Sequence, residues 1–197
     1  AALGMSYAGK RSLVCMKHVG MNVAADAFVN SAITGVNGGL VVLAADDPSM
    51  HSSQNEQDSR FYGKFAMIPI LEPSTQQEAY DMMPYAYALS EELKLPVLMR
   101  VVTRLAPSRA EIAVREPLAQ KPLSPDNERT HWVLLPGNAR RQYATLVEKQ
   151  GTLLSKSEES PYNSEFKIQN SKLGVLACGI AYNYVMENEP HKLGIPV

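Results

Sequence analysis

Apolar positions along the chain gather into short runs separated by polar stretches. Ser12 to Met16, Leu40 to Ala45 and Pro96 to Val102 are compact, rich in valine, leucine and methionine, and bounded by Gly, Asp or Pro, which predicts buried strands. Between them the apolar residues recur at helical spacing, from Val23 to about Thr34 and again from Ser74 to about Leu93. The second helix has a start signal, Pro73-Ser74-Thr75-Gln76-Gln77-Glu78. Ser74 is the expected N-cap there and Gln77 the third helical residue, with Tyr80, Met83, Tyr87 and Leu89 facing the core. Ala66 to Leu71 is a further short apolar run, and Ala1 to Gly9 has helical composition with a glycine at its end but no capping residue at its beginning, as if entered in mid-helix. Strands alternating with helices at this spacing predict βαβ units: an α/β protein with three layers and a mainly parallel sheet covered by helices on both faces.

The pattern changes after about residue 112. Pro117, Pro122 and Pro125 fall among charged and amide residues and predict an extended connector, which a basic amphipathic helix from about Asn138 to Ser155 follows. A polar stretch, Lys156 to Ser171, precedes a second buried strand at Leu173 to Gly179. Ile180 to Glu187 reads as its helix and Ile195 to Val197 as the opening of another strand. The chain is therefore expected to hold one α/β domain to about residue 115, a connector over 116–171, and the start of a second α/β domain over 172–197.

In parallel sheets ligands sit at the carboxyl ends of the strands. The loops expected there are 17–22, 46–63 and 103–109. The middle one contains "DDPSMHSSQNEQDSR" (46–60), far richer in hydrogen-bonding groups than a spacer requires. Asp47-Pro48 should start a turn, since a residue before proline avoids the helical region. Ser52, Ser53, Gln54 and Asn55 can then satisfy loose backbone groups, leaving His51, Gln57, Asp58 and Arg60 outward. Lys17-His18, just past the first strand, pairs a cation able to hold a carboxylate with an imidazole able to move a proton; the bland alternative is a histidine satisfied by backbone carbonyls. Asp46-Asp47 is read as a turn device in preference to a metal site.

Composition narrows the function classes. At 197 residues, 45% hydrophobic, 20% charged and a net charge of -1, the chain is globular and gives no electrostatic case for nucleic acid. It has no membrane-length apolar stretch and no signal pattern, so a cytoplasmic location is expected. Cys15 and Cys178, its only cysteines, lie in apolar runs and are expected as buried free thiols, too few for zinc or an iron–sulfur centre. Dinucleotide, Walker and nucleophile-elbow glycine motifs are missing.

"MKHVGMNVAADAF" (16–28), "TGVNGGLVVLAADDPSMHSSQNEQDSRFYGKFAMIPILEPS" (34–74), "PVLMRVVTRLAPSR" (96–109), "WVLLPGNARRQY" (132–143), "ESPYN" (159–163) and "KLGVLACGIAYNYV" (172–185) together resemble the alpha subunits of the indolepyruvate ferredoxin oxidoreductase family. These are thiamine-diphosphate-dependent 2-oxoacid oxidoreductases. The resemblance implies a pyrimidine-type thiamine-diphosphate domain over 1–115 and the opening of a transketolase C-terminal-like domain at 172–197. It implies an enzyme that decarboxylates arylpyruvates such as indolepyruvate to an acyl-coenzyme A and reduces ferredoxin, as an oligomer with a beta subunit. It implies Lys17 and His18 as catalytic groups and Asn22, His51, Ser53, Gln54 and Asn55 as cofactor-side residues, with no metal ligand in this chain. Thiamine diphosphate and magnesium would be shared with a domain outside it, as would iron–sulfur clusters and coenzyme A, and this chain alone is expected to hold none of them tightly and to be inactive. The glutamate that activates the cofactor in this family is expected ahead of residue 1, and Pro107 stands where the family is expected to carry histidine. The alternative class is a non-catalytic assembly module; the two differ in whether 17–22 and 51–60 converge on one cleft.

Overall fold

The computed structural model describes residues 1–163 and 172–197. Four parallel strands, β1 (Ser12–Lys17), β2 (Leu40–Asp46), β3 (Ile70–Leu71) and β4 (Val97–Val102), form one sheet in the order β1-β2-β4-β3. The two central strands are apolar on both sides, as a sheet covered on both faces demands. Helices α1 (Ala2–Tyr7), α2 (His18–Val23), α3 (Ala25–Thr34), α4 (Arg60–Ala66) and α5 (Gln76–Leu93) surround it. Gly20 of α2 faces Met16, and Gly63 of α4 faces Ile70 and Leu98; in register these belong to the same sheet face. Helix α5 covers the other, with Tyr87 against Gly39. The expected three-layer α/β architecture is observed.

The local departures from expectation have physical causes. Residues 17–22 are not an open loop: His18 already begins α2, where Gly20 lets the helix approach Met16, whose Cβ would lie 3.0 Å from any Cβ placed there. The expected helix from Val23 is two helices broken at Ala24. The cap of α5 is Thr75, one residue later than expected: its Oγ1 accepts from the Glu78 N–H, while the Glu78 carboxylate accepts from the N–H and hydroxyl of Ser74. A charged acceptor taking two bonds outcompetes the Ser74–Gln77 pairing. The buried face of α5 is Met82, Ala86, Leu89 and Leu93. Of the four expected contacts only Leu89 is buried: the Tyr80 hydroxyl accepts from Arg115 N–H, and the Tyr87 ring lies under the Arg11 guanidinium.

The segment after residue 112 crosses the surface of the α/β core without helix or strand to residue 128, held by bonds such as Ser124 N–H to the Ala8 carbonyl and Lys121 to Glu91. Trp132 of the short helix α6 (Arg129–Trp132) packs on Tyr7 with ring centres 4.0 Å apart. The basic helix is two pieces, α7 (Pro136–Glu148) and α8 (Gln150–Glu158); α7 crosses α3 and buries Leu146 in the main core, and Lys149 donates to the carbonyl of Leu93. The polar stretch expected to run to 171 lies outside the described residues from 164 onward.

Two expectations fail together at the end of the chain. Leu173 to Gly179 is not a strand, and neither is Ile195 to Val197: Val175 N–H bonds to the Pro196 carbonyl, but Leu176 is fully exposed and neither segment joins a sheet among the described residues. Helix α9 (Ile180–Glu187) is observed as expected. The cysteines are also not buried: Cys15 lies on the edge strand β1 beside Leu13, which is 44% exposed, and Cys178 precedes α9 in the same open stretch. No helix among the described residues is long and apolar enough to cross a membrane.

Candidate functional site at the carboxyl edge of the sheet

Strand β2 ends at Asp46 and Asp47 follows it, and both carboxylates are buried. Asp47 anchors the start of the long loop. Its carboxylate accepts from the Thr103 hydroxyl at 2.7 Å and from the backbone N–H groups of His51 and Ser52, and these bonds, the Thr103 one foremost, hold its pKa far below the usual range. The chain then turns through Pro48–Met50, as Asp47-Pro48 predicts, with Met50 N–H bonded to the Asp47 carbonyl. Asp46 anchors the loop's end, accepting from the N–H of Ser59 at 2.9 Å and from its hydroxyl at 2.5 Å. The backbone of the loop is therefore held by carboxylates, with Glu56 taking the Ser49 N–H, and not by Ser52, Ser53, Gln54 and Asn55 as expected. Carboxylates win because charge-assisted acceptors are stronger than hydroxyls or amides.

The expected site residues divide into three groups. Lys17 and Ser53 are brought together, and Asn22 meets the same loop at Gln57: Lys17 Nζ donates to Ser53 Oγ at 2.6 Å and lies 4.0 Å from Asp47, while Asn22 donates to Gln57 at 3.3 Å. The segments 17–22 and 51–60 thus converge. His18 lies beneath, fully buried, with neither ring nitrogen hydrogen-bonded among the described residues, so the backbone-satisfied alternative is not what is seen. His51, Gln54 and Asn55 sit exposed on the loop, His51 at the rim of a cavity and Asn55 accepting from Gln57. Of the residues expected to point outward, Asp58 is turned inward toward Arg100 and Arg60 pairs with it.

The residue that sequence reading missed is Arg100. It lies in β4 among Val97, Leu98, Met99, Val101 and Val102, with a side chain only 7% exposed. Its Nε donates to Asp46 at 2.5 Å, its Nη1 pairs with Glu72, and Asp58 is 3.6 Å away. An arginine inside an otherwise apolar central strand must find buried partners or it cannot fold in, and that was the available signal. Arg60 extends the network, pairing with Asp58 at 2.6 Å and lying 3.7 Å from Glu72; the Asp58 bond raises the Arg60 pKa further.

This network lines a cavity of about 650 Å³ between the loop, the end of β4 and α9. One wall is charged, with Glu56, Asp58, Arg60, Glu72, Arg100 and Arg104; the opposite wall is mainly apolar, with Ile180, Ala181 and Tyr184, and Cys178 at its edge. The cavity is half open to solvent, and of the expected site residues only His51 lines it; Lys17, His18, Asn22 and Ser53 lie outside it. Among the described residues no three His, Cys, Asp or Glu side chains come together to hold a metal ion.

No protein-family model matches the chain. It is 46% identical over 191 residues to the indolepyruvate oxidoreductase subunit IorA of Methanothermobacter thermautotrophicus, covering 94% of this chain and 30% of that subunit. The IorA of Archaeoglobus fulgidus is 42% identical over 207 residues, covering all of this chain and 32% of the relative, and that of Thermococcus kodakarensis is 40% identical. The chain thus spans about a third of the length of the curated relatives it matches. A solved 2-oxoglutarate:ferredoxin oxidoreductase from Magnetococcus marinus, with 2-oxoglutarate, coenzyme A and succinyl-CoA bound, shares the fold with a TM-score of 0.66 at 14% identity, over 99% of this chain and 42% of that one.

Proposed function

We propose, on the premise that the chain belongs to the indolepyruvate oxidoreductase IorA family over the segment it spans, that it builds one side of the active site of an arylpyruvate:ferredoxin oxidoreductase. The reaction is the oxidative decarboxylation of a 2-oxoacid to an acyl-coenzyme A, with the electrons passed to ferredoxin in concert with a beta subunit. In this reading residues 1–115 are the pyrimidine-type thiamine-diphosphate domain and 172–197 open a transketolase C-terminal-like domain. A cytoplasmic location goes with this reading.

The observation that carries the proposal is the convergence of the 17–22 and 51–60 segments at the carboxyl edge, through the Lys17–Ser53 and Asn22–Gln57 bonds, next to a buried His18 with unused hydrogen-bonding capacity. An unsatisfied buried imidazole is costly, and a bound polar ring or substrate group that pairs with it recovers that cost. The residues present fit an aminopyrimidine: the amides of Asn22 and Gln57 can each donate and accept. Thiamine diphosphate, when bound, supplies a nucleophilic thiazolium carbon to the 2-oxoacid. Lys17 then holds the substrate carboxylate, His18 manages a proton, and the loop walls out water.

In the assembled oxidoreductase, His18→Ala lowers kcat at least about tenfold, the lower side of what acid–base groups contribute, and Lys17→Ala raises KM for the 2-oxoacid. Wild-type kinetics in both variants returns His18 and Lys17 to structural roles and leaves the assembly-module reading in place.

A further inference from the structure

The two walls of the cavity come from parts of the chain far apart in sequence, and a single guanidinium touches the supports of both. Through Nε, Arg100 holds Asp46, which clamps Ser59 and with it the end of the 46–60 loop. Through Nη1 it holds Glu72. Glu72 is the seat of the opposite wall: Gly179, the residue before α9, sits on it with a φ of +55°, so close that a Cβ there would fall 2.8 Å from Glu72 Cγ. Only glycine combines that backbone conformation with that approach. Two residues along, the Ser74 carbonyl accepts from the side chain of Asn183 on α9 at 2.8 Å, which fastens the same wall to the same segment.

We propose that Arg100 is a positioning residue that fixes the separation between the 46–60 loop and α9, and through it the width of the cavity. A planar guanidinium presents donors in fixed directions, so its two carboxylate partners are set at a defined spacing and angle; an ammonium on a flexible stem cannot impose either. Arg60 cannot replace it. Its side chain is 45% exposed, and it reaches Glu72 only at 3.7 Å.

The inference rests on the proposed function in its kinetic arm only, and its structural arm is independent. Hydrogen exchange on the chain should separate the two supports. Ser59→Ala loosens the loop, raising exchange of amides in 51–58 by at least about tenfold, the scale of losing a hydrogen bond to a charged group, while α9 is unchanged. Glu72→Ala raises exchange in 180–187 by a similar factor and spares 51–57. Arg100→Lys raises both, with the amides of Leu98 and Met99 as the reference for global opening. In the assembled enzyme, where the same 46–60 loop sets Ser53 against Lys17 and Gln57 against Asn22, Arg100→Lys raises KM for the 2-oxoacid about tenfold with kcat changed less than about threefold.

The proposal is overturned if Arg100→Lys leaves either wall at wild-type exchange, or if Ser59→Ala and Glu72→Ala each loosen both walls equally with the reference amides. Should Arg100→Lys fail to fold, the opposed patterns of the other two variants still decide it. An assembled enzyme that turns over no 2-oxoacid removes the proposed function, and the exchange pattern alone then decides whether Arg100 sets the spacing of the walls.

Discussion

Replacing Glu91 by glutamine tests how the edge of the sheet is held. Glu91 lies on α5 and its carboxylate, 13% exposed, takes a two-pronged bond from Arg11 at 2.8 and 3.0 Å and a third from Lys121 at 2.5 Å. It therefore joins the residue that leads into β1, the helix behind it and the connector. Burial would raise the Glu91 pKa, but the bonds from Arg11 and then Lys121 outweigh it and bring it from 4.5 to about 2. At about 1.36 kcal/mol per pH unit the full shift corresponds to roughly 3 kcal/mol. Solvent screening around the partly exposed Arg11 and Lys121 reduces this to about 1–2 kcal/mol of stability. The folded pKa lies below the unfolded one, so the contribution is complete above about pH 4.5 and fades as pH falls toward 2. Glu91→Gln should lower Tm at pH 7 by about 2–8 °C, at roughly 2–4 °C per kcal/mol for a chain of this size. Urea titrations at pH 7, 5, 4 and 3 measure the gap between wild type and variant. A gap below about 0.3 kcal/mol at pH 7, or one that fails to narrow between pH 5 and pH 3, refutes the reasoning.

Two further outcomes follow from the same structure. Calorimetric titration of this chain with thiamine diphosphate and magnesium should show no tight binding, since no carboxylate set for the metal is present among the described residues; a Kd near or below about a micromolar, roughly -8 kcal/mol, contradicts that. Leu146→Ala, at a site 3% exposed where α7 meets the core, should cost about 2–4 kcal/mol in urea unfolding, and a loss below about 1 kcal/mol means that the connector does not dock in solution.

Much of the fold was legible because it obeys period. Three of the four strands, β1, β2 and β4, together with the helix from Gln76 and α9 fall where the apolar pattern puts them, as buried strands and amphipathic helices must. What misled were residues whose usual preference lost to a neighbour. Gly20 and Asn22 suggest a loop, yet Gly20 serves helix–strand approach; Ser74 suggests a cap, yet the charge on Glu78 moves the cap to Thr75. Apolar surroundings suggested that Cys15 and Cys178 are buried, but sequence runs do not reveal which strand is an edge or whether a sheet exists to receive a segment. The candidate site was half legible. Lys17, Asn22 and the loop could be read from polar residues placed after strands, whereas Arg100, Glu72 and Ser59 act through pairings across the chain that no local window contains.

The bond between Asn183 and the Ser74 carbonyl spans 109 residues. During synthesis, at about 5–20 residues per second, the loop wall emerges some 5–20 s before the helix that faces it. Throughout that interval the charged network must hold its shape beside open water, with Glu72 exposed where Gly179 will later rest. The buried pairing of Arg100 with Asp46 uses only residues made before α9, so it can form before the facing helix exists. Closure then comes as a late docking event. A chain stalled short of residue 179 would be a folded sheet with its binding face unroofed.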